Sequence, residues 1–177
     1  MKQASQIRLL AMDVDGVLTD GVLYQSADGD EIKAFHVRDG MGIALGLRAG
    51  LAVAFVTARA SAVVRRRAKE LGVPHVLLDV RDKAAAVQDL AQQLDLDAGA
   101  VAFIGDDLND LPVFSWCGMA VAVADAPERV RAAADWVTTA PGGRGAVREV
   151  VEHILSAQDC LEEAIARYLG GADPKRQ

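Results

Sequence analysis

Asp13 and Asp15 stand two residues apart at the end of the apolar run Leu9-Leu10-Ala11-Met12, and Gly16 follows them. Residues two apart on a strand point to the same side, so both carboxylates would reach one edge of a sheet. Like charges that close repel, and neither ionises cheaply out of water without a cation. A magnesium ion resolves the conflict, because it takes oxygen ligands and bridges to phosphate. One carboxylate is then placed to attack phosphorus and form an aspartyl-phosphate, the other to carry the leaving group's proton. A turn or capping aspartate is the plain alternative, and the pair alone does not exclude it.

Three further features bear on that choice. Val56-Thr57-Ala58-Arg59 closes a second apolar run with a hydroxyl and a set of backbone N–H groups. Lys83 opens a helical stretch, a poor place for a cation next to the positive helix end unless an anion lies nearby. Gly105-Asp106-Asp107-Leu108-Asn109-Asp110 closes another apolar run with crowded carboxylates. Such crowding fits a divalent ion, with Asp106 its best direct ligand.

These residues need elements to hold them. Apolar runs predict strands over Leu9–Val14, Ala52–Thr57, His75–Leu78, Ala100–Gly105 and Met119–Ala124, with a weaker one at Trp136–Thr138. They alternate little between apolar and polar, as strands covered on both faces do. Ala60, Val64, Ala68 and Leu71 recur at helical spacing, and Gly72 is placed to end that helix. Asp82 caps the next, with Ala84, Val87, Ala91 and Leu94 on its apolar face. Pro127 suits the first turn of another. A last helix carries Val147, Val150, Val151, Ile154, Leu155 and Leu161 and runs to about Leu169, with a frayed tail over Gly170–Gln177. Strand–helix alternation implies an α/β fold, a parallel sheet with helices on both faces. One segment interrupts it: Gly21 to Val37 reads as two β-like runs around the turn Asp28-Gly29, a hairpin inserted after the first strand.

At 177 residues, 51% of them hydrophobic, the chain fits one domain with a substantial core. A net charge of −6 speaks against a nucleic-acid partner, which needs clustered Lys and Arg. The one basic run, Arg65-Arg66-Arg67, reads as a solvated helix face. Cys117 and Cys160 lack the spacing of a disulfide framework or zinc site. Neither a signal peptide nor a membrane span is visible, so a cytoplasmic protein is expected.

Taken in order, Asp13-Val14-Asp15, Thr57, Lys83 and Asp106–Asp110 all fall at strand ends or the helix starts that follow. That order resembles the four motifs of the haloacid dehalogenase-like phosphohydrolase superfamily, whose three-layer, Rossmann-like sheet the resemblance implies. It also implies Asp13 as nucleophile, Asp15 as general acid/base, and Thr57 and Lys83 as holders of the phosphoryl oxygens. Magnesium would be bound by Asp13, the backbone carbonyl of Asp15, and Asp106, with Asp110 behind them ordering metal-bound water. An acid/base carboxylate at Asp15 suits hydrolysis over dehalogenation or ion pumping.

The extension Gly16-Val17-Leu18-Thr19-Asp20-Gly21, the stretch Phe35–Ile43 and Gly142-Gly143-Arg144-Gly145 narrow the likeness. They resemble the small uncapped subgroup that contains the 3-deoxy-D-manno-octulosonate 8-phosphate (KDO 8-phosphate) phosphatases of lipopolysaccharide synthesis. The resemblance implies a homotetramer assembled through the hairpins, one subunit completing its neighbour's site. It implies cationic partners for the sugar acid's carboxylate: Arg59 first, then Arg38 and Arg144. Ala58 and Leu78-Asp79 depart from the subgroup's usual Gly and Gln-Gly. A nine-carbon sugar-acid 9-phosphate is the rival substrate, and a non-catalytic oligomerisation domain of the same fold is the rival of a different class.

Overall fold

Leu9, Leu10, Ala11 and Met12 are all fully buried. Successive strand residues face opposite sides, so this strand is covered on both and must lie inside a layered structure. The computed structural model, which describes residues 4–25, 27 and 31–170, bears this out. Its strands in chain order are β1 (Leu9–Met12), β2 (Tyr24–Gln25), β3 (Glu31–Ile32), β4 (Ala52–Val56), β5 (His75–Leu77), β6 (Val101–Gly105), β7 (Met119–Ala122) and β8 (Trp136–Val137). The helices are α1 (Val37–Arg48), α2 (Ala62–Leu71), α3 (Lys83–Gln93), α4 (Leu111–Phe114), α5 (Glu128–Arg131), α6 (Ala146–Ala157) and α7 (Leu161–Gly170).

Six strands form one parallel sheet in the order β5-β4-β1-β6-β7-β8. The chain leaves β1 towards β4 and β5, then returns to its other side with β6. That reversal makes a crevice at the carboxyl ends of β1 and β6, where open α/β sheets take ligands. The register aligns the ends: Met12 lies opposite Phe55 on one side and Ile104 on the other. Complete burial of side chains such as Leu10, Phe55 and Ile104 stabilises by about 1.5–3 kcal/mol each. α1 packs on α6 and α7, and α3 on α4.

Local signals set the helix boundaries. Ser61 caps α2 by accepting the Val64 N–H at 3.2 Å, and Gly72, with φ of 74°, ends it. Asp82 caps α3 through the Ala85 N–H at 3.0 Å. α6 is preceded by Gly145, which has no side chain to cap it. Asp39, on α1, supplies the cap instead, accepting the N–H groups of Gly145 and Arg148, both at 3.1 Å.

The expectations differ from the structure in three places. The last helix is two: Asp159 takes a φ of 55° and the Cys160 N–H turns back to the Leu155 carbonyl at 3.0 Å. Leu155 and Leu161 lie six apart, a gap that one helical face does not span. β5 is half-buried because it is the sheet edge. The second β-like run stops at Ile32, since His36 caps α1 by accepting the Arg38 N–H on Nδ1 at 3.2 Å. β2 and β3 do pair antiparallel, as an inserted hairpin requires. Its expected turn at Asp28-Gly29, and residues 171–177 of the expected tail, lie outside the described residues.

Candidate active site

Asp13 follows β1 directly, its N–H still bonded to the Ile104 carbonyl of β6 at 2.9 Å. The ladder therefore places its carboxylate over the β1–β6 crevice. Oδ1 accepts the Val14 N–H at 2.7 Å, and Oδ2 lies 2.9 Å from the Lys83 ammonium. Lys83 also donates to Asp110 at 2.6 Å. The cation at the start of α3 thus answers two carboxylates, which explains its position against the helix dipole. Burial works against its charge, but Asp13 and Asp110 outweigh it and raise its pKa.

Asp110 is fully buried and organises the loop after β6. Its Oδ2 accepts the N–H groups of Asp106 at 2.9 Å and Asp107 at 3.2 Å. A Cβ on Gly105 would come within 2.6 Å of that carboxylate, so only glycine lets the strand end so close. Asp107 caps the 3-10 turn Leu108–Asp110. Asp106 faces Asp13, and a Cβ on Gly16 would overlap its carboxylate. Thr57 is buried at the end of β4, its Oγ accepting the Arg59 N–H at 3.2 Å.

Asp13, Asp15, Thr57, Arg59, Lys83 and Asp106 all line one cleft of about 280 Å³. A larger cavity, about 750 Å³, lies by Arg8, Gly50 and Asp97, at the opposite edge of the sheet from the carboxylates. Arg38 and Arg144 are exposed and line neither. Gly142 and Gly143 account for much of the motif around Arg144. A Cβ on Gly142 would overlap the Gly16 carbonyl, and the Gly143 N–H bonds the Val17 carbonyl at 2.8 Å. The glycines thus let this loop buttress the one that carries Asp15.

One group of residues was missed. Lys33, beyond β3, contacts Asp15 Oδ1 and lies 3.2 Å from Glu31. Glu31 accepts the Ser61 hydroxyl at 2.5 Å and lies 3.9 Å from Arg59. Burial would raise the pKa of Glu31, but the bonds from Ser61 and Lys33 prevail and lower it. The one signal in the sequence was Glu31 and Lys33 two apart on a strand, hence on one side.

The donor set fits a divalent cation. Carboxylate oxygens of Asp13, Asp106 and Asp110 lie within 4.8 Å of one another. Asp106 Oδ1 is buried and has no hydrogen-bond partner among the described residues. Burial, opposed by Lys83 and reinforced by Asp110, pushes the Asp13 carboxyl up to about 6. Burial and then the charges of Asp13 and Asp110 push Asp106 up to about 8. Carboxylates that hold protons this firmly are short of positive charge, and all their ligand atoms are oxygen, as magnesium prefers.

The chain as a whole is similar to known proteins. A family model for haloacid dehalogenase-like hydrolases matches residues 75–149. The 3-deoxy-D-manno-octulosonate 8-phosphate phosphatase KdsC of Escherichia coli is 46% identical over 164 residues, 93% of this chain and 87% of that one. The crystal structure of the Moraxella catarrhalis phosphatase of the same name, in complex with magnesium, phosphate and KDO, superposes with a TM-score of 0.91 at 43% identity. It covers 94% of this chain and 96% of that one. The cobalt-bound Haemophilus influenzae phosphatase gives 0.89 at 42% identity, over 93% and 99% of the two chains. Identity of this order, end to end and on one fold, means that the chain belongs to the haloacid dehalogenase-like hydrolases, in the family of the 3-deoxy-D-manno-octulosonate 8-phosphate phosphatases.

Proposed function

We propose that this protein is a magnesium-dependent phosphatase that hydrolyses KDO 8-phosphate to KDO and inorganic phosphate, supplying the sugar acid for lipopolysaccharide. The observation that carries the reading is the convergence of Asp13, Asp15, Thr57, Lys83 and Asp106 on one cleft. The matching relatives act on, or hold, the corresponding sugar acid by name.

Asp13 attacks phosphorus while the ester P–O bond breaks, and the leaving oxygen takes a proton from Asp15. Water then attacks the aspartyl-phosphate, Asp15 takes a proton from it, and Asp13 is released with inorganic phosphate. Thr57 and Lys83 hold the phosphoryl oxygens as charge builds on them. Magnesium, held by Asp13, Asp106 and the Asp15 carbonyl with Asp110 behind, supplies positive charge to the phosphoryl group and relieves the carboxylate repulsion. Arg59, at the rim, takes the sugar acid's carboxylate.

The hairpin leaves Val22, Leu23, Tyr24 and Ile32 exposed, an apolar edge suited to joining subunits. A homotetramer built through it would let Arg38 and Arg144 serve a neighbour's cleft. No helix among the described residues is long and apolar enough to cross a membrane. A purely structural role leaves the buried charges of the cleft without purpose, since burying them is costly. Measuring kcat/KM with magnesium on eight-carbon, nine-carbon and simple sugar phosphates tests the reading. A clear preference for KDO 8-phosphate is expected; preference for the nine-carbon ester would move the protein to that substrate.

A further inference from the structure

Ile32 and Lys33 are neighbours on the hairpin arm with opposite fates. Ile32 is 62% exposed, whereas the Lys33 side chain is 2% exposed. Strand alternation turns Ile32 outward and sends Glu31 and Lys33 inward together. A buried ammonium is tolerated only with partners, and Lys33 has two, Asp15 and Glu31. Glu31 is in turn fixed to the body of the protein by Ser61, itself buried and committed as the cap of α2. The chain Ser61–Glu31–Lys33–Asp15 therefore runs from a rigid helix start, through the arm, to the carboxylate that carries the proton.

The two oxygens of Asp15 are treated differently. Oδ1 is taken by Lys33, while Oδ2 is buried with no hydrogen-bond partner among the described residues. We infer that Lys33 is a positioning residue: by holding Oδ1 it fixes the orientation of the Asp15 carboxyl group, which lines the cleft and hands a proton to the leaving oxygen of the phosphate ester. The arm then has a role within its own subunit, separate from any part in assembly. The inference rests on the phosphatase reading above, and it assigns Lys33 no direct contact with phosphorus.

The test compares two esters. An alkyl phosphate, KDO 8-phosphate, needs a proton delivered to its departing oxygen; 4-nitrophenyl phosphate releases a stable anion and does not. With Lys33→Met, kcat/KM on the alkyl ester, which reports only the steps up to formation of the aspartyl-phosphate, is expected to fall about 100-fold, the scale of a misplaced acid/base group. On the aryl ester the fall in kcat/KM is expected to be far smaller, because the hydrolysis of the aspartyl-phosphate that the two esters share does not enter it. Lys33→Arg, which keeps a cation between the two carboxylates, should recover most of the loss. Glu31→Gln, which loosens Lys33 without removing it, should show the same ester dependence in weaker form and serves if Lys33→Met does not fold. Equal losses of kcat/KM on both esters, or no recovery with Lys33→Arg, would overturn the inference. Failure of the unaltered protein to hydrolyse either ester would instead sink the phosphatase reading itself.

Discussion

Asp106 is the most sensitive reporter of the metal site, and pH tests it without any substrate. Its pKa rises from 3.8 to about 8 in the folded chain, through burial first and the charges of Asp13 and Asp110 next. A carboxyl raised in this way stabilises the fold fully below its unfolded pKa, and that stability drains as pH climbs towards the folded value. Between those limits the native state binds the extra proton, so unfolding free energy falls by about 1.4 kcal/mol per pH unit for this one group. From pH 5 to pH 7 that is on the order of 3 kcal/mol, which for a chain of this size lowers Tm by roughly 6–12 °C. Asp13, raised to about 6, adds to the fall at the acid end of the window. Glu31, with its pKa lowered from 4.5, contributes stability that is already complete above that value. Lys83, raised from 10.5, keeps its contribution until far more alkaline pH. The assay is thermal unfolding of chelator-treated protein at pH 5, 6, 7 and 8, with and without magnesium. Tm should fall with pH in the chelated protein, and the magnesium-induced rise should be larger at pH 8 than at pH 5, because the ion replaces protons that have left. Asp106→Asn should remove most of the fall. A flat or rising Tm in the chelated protein, or an equal magnesium increment at both ends, would refute the reasoning.

Asp13→Asn keeps the shape of the side chain but removes the nucleophile; phosphate release should drop below detection while circular dichroism and unfolding show an intact fold. Turnover by that variant would end the aspartyl-phosphate mechanism. Leu23 and Ile32 are 50% and 62% exposed on the hairpin; sedimentation velocity should find a tetramer, and Leu23→Lys with Ile32→Lys should shift it to smaller species. A monomer before substitution would remove the hairpin from assembly.

The sheet was legible because its strands are buried on both faces: runs such as Val101–Gly105 leave no polar alternation to confuse the reading. The strand-end chemistry was legible for the same reason, since Asp13, Thr57 and Asp106 each follow directly on such a run. What Lys83 answers was not. Helix position suggested an anion beside it but equally allowed a solvated surface lysine, and Asp13 and Asp110 become its partners only when β1 and β6 are paired. Lys33 was hidden more deeply, because nothing local says that a short hairpin folds back over the strand it follows. Arg144 was the reverse case. The glycines around it stood out, but Gly142 and Gly143 are there to pass the Gly16–Thr19 loop closely, while the arginine itself is exposed. A motif can be distinctive for backbone reasons, with its charged member elsewhere.

The pairing of charges in the cleft says why a divalent ion suits it better than a monovalent one. Lys83 sits against Asp110, Lys33 against Asp15, and Arg59 near Glu31, so each of these carboxylates has a cation of its own. Asp13 and Asp106 are left over, although Lys83 also leans on the first. They are the two carboxyls pushed up to about 6 and about 8. Once both have lost their protons, their two negative charges would match one magnesium ion; a monovalent cation would leave one exposed to its neighbour. The substrate sharpens the requirement. At a pH above those values a phosphate dianion approaching this edge without the ion would meet a net negative wall, whereas with Asp13 and Asp106 neutralised it would meet Lys83 and the Thr57 hydroxyl. The ion's role would then begin with admission of the phosphate, before any bond to phosphorus changes.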